Sequence, residues 1–127
     1  MPQSVVLIDD DDDDILLLSD CLLSIDKTLQ ITAFNDCEEA LDKLLTERIG
    51  TPDFIFIDIN MPKVMGPQCL QMIRNQKVFD NSRIVMVSTT MWDTEAAKHI
   101  SNGANFAIKK PVKFEEYCHL LTKIILS

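Results

Sequence analysis

The alternation of short apolar runs with stretches of helical periodicity constrains the fold of this chain more than any other feature. The apolar runs are Val5–Ile8, Gln30–Phe34, Phe54–Ile57, Ile84–Val87 and Phe106–Ile108. Three of them are nearly continuous in aliphatic and aromatic residues, which is typical of strands buried on both faces of a parallel sheet. Helical spacing follows, most clearly where apolar residues recur three and four positions apart from Phe114 to Ile125. The pattern predicts five β units, each followed by a helix.

The positions of capping residues support the same organisation. Asp36 followed by Glu39 suits a helix N-terminus, and Gly66-Pro67 places a proline where a third helix can begin. The first helix is predicted over Ile15–Ile25. Regular βα alternation with short links predicts an α/β protein, a doubly wound parallel five-stranded sheet of the (βα)5, flavodoxin-like three-layer type. We expect one domain over residues 1–127.

Composition narrows the possible environments and partners. The chain has 12 basic and 20 acidic residues and a net charge of −8. This balance argues against a nucleic-acid or anionic-membrane surface. The longest apolar runs are too short to span a bilayer, and the first residues lack the features of a secretory signal. We therefore expect a cytoplasmic protein whose four scattered cysteines are reduced and buried rather than joined in disulfides.

Chemically useful side chains stand at the carboxyl ends of four predicted strands. In an open parallel sheet, ligands bind outside these ends. The residues placed there are Asp9 and Asp10, Asp58, Ser88 and Thr89, and Lys109 and Lys110. Carboxylates, hydroxyls and an ammonium group therefore converge on one edge, which predicts a functional site.

The acidic run Asp9–Asp14 is the one low-complexity stretch in the chain. From composition alone, such a run is most often a solvated, self-repelling segment. Here it begins where a buried strand ends and continues into a helix, so Asp11 to Asp14 would lie in the first turn, where the helix dipole favours acids. Asp9 and Asp10 would then point toward Asp58. Because three close carboxylates repel one another, a hard divalent cation such as Mg²⁺ would stabilise them.

Four segments together carry a resemblance to a known family: VVLIDDD, DFIFIDINMPKVMG, RIVMVST and GANFAIKKP. In this order, they resemble the receiver domain of two-component response regulators, over essentially the whole chain. The resemblance implies that Asp58 accepts a phosphoryl group from a histidine kinase or a histidine phosphotransfer protein, forming an aspartyl phosphate. It also implies that Mg²⁺ is held by Asp10 and Asp58, by Asp9, and by the backbone carbonyl of Asn60.

The resemblance assigns further roles around the acceptor. The Ser88 hydroxyl would bind a phosphoryl oxygen, and Thr89 stands beside it. Lys110 would pair with the Asp58 carboxylate and then with the phosphoryl group, and the bond from Lys110 to Pro111 would be cis. Asn60 and Thr90 would flank the hydrolytic water and tune the lifetime of the signal.

Two positions depart from the family pattern. Met65-Gly66 stands where Asp-Gly is common, and Ala107 stands where a switch aromatic is usual. Phe106 is one possible substitute for this aromatic, although it lies one residue earlier, on the opposite face of the strand. Trp92, in the loop after Ser88, is a possible substitute for the aromatic, and the alternative is that it covers the apolar rim.

The sequence leaves other functions open. A haloacid-dehalogenase-like phosphatase also uses an aspartate nucleophile with Mg²⁺, but it needs a second acid where Asn60 stands. A flavin-binding module is disfavoured because the acidic cluster would repel the flavin phosphate. A receiver-like binding module that acts without phosphorylation is also possible. On the leading interpretation the protein is a signalling switch rather than an enzyme, a monomer or weak dimer with no attached output domain. Leu16, Leu17 and Leu23 enlarge the apolar surface of the first helix, which is either a docking face for the phosphodonor or a broadly buried helix.

Overall fold

The strands and helices follow one another in the order that the sequence predicts. The computed structural model describes residues 3–46, 50–61 and 63–127. The strands are β1 Ser4–Ile8, β2 Gln30–Phe34, β3 Phe54–Asp58, β4 Arg83–Ser88 and β5 Phe106–Lys109. The helices are α1 Asp12–Ile25, α2 Cys37–Thr46, α3 Gly66–Arg74, α4 Asp93–Ser101 and α5 Phe114–Ile125, with a 3₁₀ turn at Lys77–Phe79. All strand pairs are parallel, in the order β2-β1-β3-β4-β5. The predicted α/β fold class is confirmed.

Two apolar layers cover the two faces of the sheet. In β1, Val5 and Leu7 pack against α1 and α5, whereas Val6 and Ile8 pack on the side of α2 and α3. Burial of both faces explains why β1, β3 and β4 are almost continuously apolar. The order of the strands places β1 and β3 side by side at the centre, with the ends of both strands at the same edge.

Helix α1 begins three residues before the predicted Ile15, because the acidic run supplies its own cap. The Asp11 side chain accepts hydrogen bonds from the backbone N–H groups of Asp13, at 2.9 Å, and Asp14, at 3.3 Å. Asp12 to Asp14 occupy the first turn, where their charge is stabilised by the helix dipole, whereas Asp11, also predicted to lie in the first turn, is the cap that precedes it. The acidic run is therefore structured rather than a solvated tail.

The start of α3 is pressed against the segment that follows Asp58. The Gly66 N–H donates to the Ile59 carbonyl oxygen at 3.0 Å. A side chain at position 66 would bring its Cβ atom to 2.5 Å from the Ile59 Cα atom and 2.8 Å from the Asp58 carbonyl oxygen. Because no other residue fits so close to backbone atoms, Gly66 fixes the path of the chain after the acceptor.

Arg74, the last residue of α3, links the segments at the amino ends of β4 and β5. Its guanidinium donates to the carbonyl oxygens of Gly103, Phe79 and Ser82, at 2.8, 2.7 and 2.9 Å, and to the Asn105 side chain at 3.0 Å. One side chain thus satisfies acceptors from the 3₁₀ turn and from the segments that lead into β4 and β5.

Two expectations from the sequence are wrong. Cys37 and Cys69 form a disulfide between the first residue of α2 and α3, with their Cα atoms 5.8 Å apart, although all four cysteines were expected to be reduced. Only Cys21 and Cys118 are free cysteines in the described residues. The pairing depends on helix packing and leaves no spacing signal, because 32 residues separate the two positions. The bond from Lys110 to Pro111 is trans, since no peptide bond in the described ranges is cis.

Candidate functional site

Three carboxylates meet where β1 and β3 end. Each of Asp9, Asp10 and Asp58 offers an oxygen atom, and these atoms lie within 4.8 Å of one another. Asp58 is the last residue of β3, and Asp9 and Asp10 follow β1 directly. The pairing of Ile8 with Ile57 aligns the two strand ends and brings the acids together. The predicted convergence of these residues is confirmed.

Two of the three carboxyl groups are held in surroundings that disfavour their charged form. Burial, together with the charges of Asp58 and Asp14, raises the pKa of Asp9 from 3.8 to about 6, although a hydrogen bond from the Asp11 N–H and the charge of Lys110 oppose the shift. Burial also raises the pKa of Asp58, against the opposing effects of Lys110 and the Asn60 N–H. A divalent cation would remove this penalty, and an all-oxygen donor set suits Mg²⁺ or a similar hard ion. The residues present therefore fit such an ion.

Lys110 reaches the cluster from the end of β5, but its contacts differ from those expected. Its Nζ atom lies 3.0 Å from the Asp14 Oδ2 atom and 3.5 Å from the Asp9 Oδ2 atom. In the described part of the chain it forms no ion pair with Asp58. Burial alone would lower the pKa of Lys110. The hydrogen bond to Asp14 and the negative charges of Asp9 and Asp58 have the larger combined effect, so the pKa is raised above its usual value. The expected pairing with Asp58 is thus replaced by a pairing with Asp14.

Ser88, at the end of β4, is 2% exposed and is held by two donors. Its Oγ atom accepts a hydrogen bond from the Asn60 Nδ2 group at 3.2 Å and from the Thr90 N–H at 3.3 Å. Because both bonds use oxygen lone pairs, the hydroxyl proton stays available for a further acceptor. Asn60 also donates its backbone N–H to the Asp58 Oδ1 atom, at 3.4 Å.

The remaining predicted residues lie further from the carboxylates. Thr89 and Thr90 are exposed in the loop after β4, and Trp92, at the start of α4, is 70% exposed. Because most of its surface is exposed, Trp92 buries little of itself against the rest of the protein. Phe106 packs against the layer of α1 and α5, whereas Ala107 packs against the layer of α2 and α3. Their predicted placement on opposite faces of the sheet is confirmed.

Asp14 is the site residue that the sequence analysis did not single out. It was assigned to the first turn of α1 for its interaction with the helix dipole, and it does lie there. Helical spacing gave no signal for this role, because Asp9 and Asp10 precede the cap of α1 at Asp11. Its pairing with Lys110, 96 residues away, depends on the packing of α1 against α5, the helix that follows Lys110.

Comparison with known proteins identifies the class. The model of the response regulator receiver domain matches residues 5–122, so this chain belongs to the family of response regulator receiver domains. It carries the fold of a two-component signalling domain, and the phospho-acceptor role of that family fits the site.

Relatives in other organisms support this family assignment, and a solved structure supports the fold. The chain is 31% identical over 86 residues to hybrid signal transduction histidine kinase D of Dictyostelium discoideum, covering 68% of this chain and 5% of that protein. It is also 31% identical over 113 residues to stress response regulator protein 1 of Candida albicans, covering 87% of this chain and 38% of that protein. The chain thus spans a minor part of these relatives. The crystal structure of the phosphorylated cyanobacterial phytochrome response regulator RcpA superposes with a TM-score of 0.86 at 21% identity, covering 98% of this chain and 91% of that one.

Within the described ranges, no helix combines the length and the apolarity needed to cross a membrane.

Proposed function

We propose that Asp58 is the phospho-acceptor of this receiver domain and that the donor is the phosphohistidine of a histidine kinase or a histidine phosphotransfer protein. The observation that carries the proposal is the meeting of Asp58 with Asp9 and Asp10 where β1 and β3 end. At the same edge of the sheet, Ser88 is the last residue of β4 and Lys110 directly follows β5. Asp58 is half-buried, so a carboxylate oxygen remains accessible to a partner protein.

The reaction needs little covalent chemistry from the domain. A carboxylate oxygen of Asp58 attacks the phosphorus atom, a new P–O bond forms, and the P–N bond to the donor histidine breaks, with its electron pair returning to the imidazole nitrogen. Such transfers depend on positioning and on neutralising charge at the phosphoryl oxygens. Asp9, Asp10 and Asp58, with the backbone carbonyl of Asn60, would hold Mg²⁺. When bound, this ion supplies positive charge that offsets the charge of the carboxylates and the phosphoryl group.

Ser88 and Lys110 stabilise the transferred group in this proposal. The Ser88 hydroxyl keeps its proton because it accepts its two existing bonds, so it can donate that proton to a phosphoryl oxygen. The Lys110 ammonium has three donors and two carboxylate partners, so one donor remains for the phosphoryl group. Thr90 and Asn60, which already contact Ser88, would set the access of water to the aspartyl phosphate.

The output of the domain is a change in the binding of a protein partner. A phosphoryl group that draws Ser88 toward it also displaces Thr90, because the Thr90 N–H is bonded to the Ser88 hydroxyl. The loop of Thr89, Thr90 and Trp92 would carry the change to the surface of α4. We propose a signalling switch with no catalytic activity beyond its own phosphorylation and dephosphorylation.

Intact-mass measurement with a small acyl phosphate tests this function without a cognate kinase. Wild-type protein incubated with acetyl phosphate and Mg²⁺ should gain the mass of one phosphoryl group, and chelation of the metal should prevent the gain. Asp58→Asn should gain nothing. Asp20→Asn, which removes an exposed acid from the middle of α1, is the matched control and should react like wild type. Equal labelling of Asp58→Asn and wild type would refute the proposal.

A further inference from the structure

We propose that Asp14 is a positioning residue that holds the Lys110 ammonium beside the acid cluster and keeps it from pairing with Asp58 before the phosphoryl group arrives. The inference rests on the proposed function of the same site. It concerns a contact between the first turn of α1 and the end of β5, which are far apart in the sequence.

The geometry separates Asp14 from the other acids of the run. Asp11 caps α1, and the Asp12 Oδ1 atom accepts a hydrogen bond from the Asn35 Nδ2 group at 2.9 Å. Asp13 is exposed, and its side chain has no partner in the described part of the chain. Of the acids from Asp11 to Asp14, Asp14 is the one that contacts Lys110 in the described residues, with its Oδ2 atom 3.0 Å from the Lys110 Nζ atom.

The contact is shielded enough to control where the ammonium lies. The Lys110 side chain is 14% exposed and the Asp14 side chain is 37% exposed, so the pair is less open to solvent than a typical surface ion pair. The Asp9 Oδ2 atom lies further away, at 3.5 Å, which makes Asp14 the shorter of the two contacts. Asp14 and Asp9 both engage the ammonium group, and among the described residues Lys110 forms no ion pair with Asp58.

This placement leaves the Asp58 carboxylate free for a cation and for the incoming phosphoryl group. If Asp14 is removed, the ammonium loses its nearest partner and turns toward Asp9 and Asp58. Its positive charge then competes with a divalent ion for the same oxygen atoms. Binding of Mg²⁺ to the unphosphorylated protein therefore measures the positioning directly, without any transfer reaction.

A double-mutant cycle on Mg²⁺ affinity, measured by isothermal titration calorimetry, tests the inference. Asp14→Asn should weaken Mg²⁺ binding about five- to tenfold in the wild-type background. In the Lys110→Met background the same change should weaken binding by about twofold or less, because only a distant charge is lost. Equal losses in the two backgrounds would overturn the proposal. Asp13→Asn removes the same charge from the same turn and should change the affinity by less than about twofold. A loss equal to that of Asp14→Asn would also overturn the proposal.

A conservative variant keeps the test decisive if Lys110→Met does not fold. Asp14→Glu retains a carboxylate that can still reach Lys110, so it should recover most of the affinity that Asp14→Asn loses. Failure of Asp14→Glu to recover any affinity would contradict a positioning role. These outcomes are separate from the acceptor assignment, because none of them requires Asp58 to be phosphorylated. A coupled response with no labelling of Asp58 would leave the positioning inference standing and refute the proposed function.

Discussion

The buried carboxyl group of Asp9 should destabilise the metal-free protein at neutral pH, and its replacement by asparagine should therefore stabilise it. The pKa of Asp9 is raised from 3.8 to about 6, mainly by burial. Between these two values the folded protein keeps a proton that the unfolded chain has released, so stability falls as pH rises through this window. The difference is roughly two pH units at about 1.4 kcal/mol each, which gives a cost of about 3 kcal/mol above the window.

Asp9→Asn removes this cost but also removes a partner of Lys110, which lies 3.5 Å away. We therefore expect the variant to be more stable than wild type by about 1–3 kcal/mol near neutral pH and by little near pH 4. Urea denaturation followed by circular dichroism in the presence of a chelator gives both values. The comparison removes the titration of Asp9, while the groups that Asp9 does not contact titrate alike in both proteins.

Asp13→Asn provides the control for charge alone, since it removes an exposed acid from the same run. Its effect should be within about 0.5 kcal/mol at both pH values. Addition of Mg²⁺ should raise the stability of wild type and should raise that of Asp9→Asn much less. If Asp9→Asn lowers stability equally at both pH values, the buried Asp9 carboxyl group does not destabilise the metal-free protein. The same conclusion follows if Asp13→Asn raises stability near neutral pH as much as Asp9→Asn does.

Three further substitutions test the parts that support the site. Gly66→Ala should cost about 1–3 kcal/mol in urea denaturation and slow the labelling by acetyl phosphate, because its methyl group would lie 2.5 Å from the Ile59 Cα atom; an unaffected labelling rate would argue against a role in the path of the chain. Arg74→Met should lower the free energy of unfolding by about 3 kcal/mol, because the substitution leaves several acceptors unpaired. The control Lys77→Met replaces an exposed lysine nearby and should leave the free energy of unfolding unchanged. Ser88→Ala should keep the affinity for Mg²⁺ but slow labelling by acetyl phosphate about tenfold or more. Ser88→Thr retains a hydroxyl and should keep most of the labelling rate. An equal loss of labelling rate in both variants would contradict the role of the hydroxyl.

The fold could be predicted because its signals are local. The strands at Phe54–Asp58 and Arg83–Ser88 are buried on both faces, so each can be recognised in the sequence as a short, nearly continuous apolar run. The start of α2 follows from Asp36, whose Oδ1 atom accepts the Glu39 N–H at 2.7 Å, as the capping pattern predicts. The start of α1 was placed three residues too late, because a run of acids also suits a solvated segment.

The convergence of the site could be predicted as well, since strand ends in a parallel sheet meet at one edge. The contacts within the site could not. Whether Lys110 pairs with Asp58 or with Asp14 depends on how α1 packs against α5, and this is a tertiary property with no sequence signal. The disulfide between Cys37 and Cys69 was missed for the same reason, because it joins two helices through the packing of one apolar layer.

Localisation of the phosphoryl group on Asp58 tests the central claim most directly. Wild-type protein is labelled with acetyl phosphate and Mg²⁺, the acyl phosphate is reduced with borohydride, and the peptides are sequenced by mass spectrometry. Reduction converts a phosphorylated aspartate into homoserine, which marks its position permanently. We predict homoserine at position 58 and an unmodified aspartate at positions 9 and 10. Homoserine at another aspartate, with position 58 unmodified, would contradict the account.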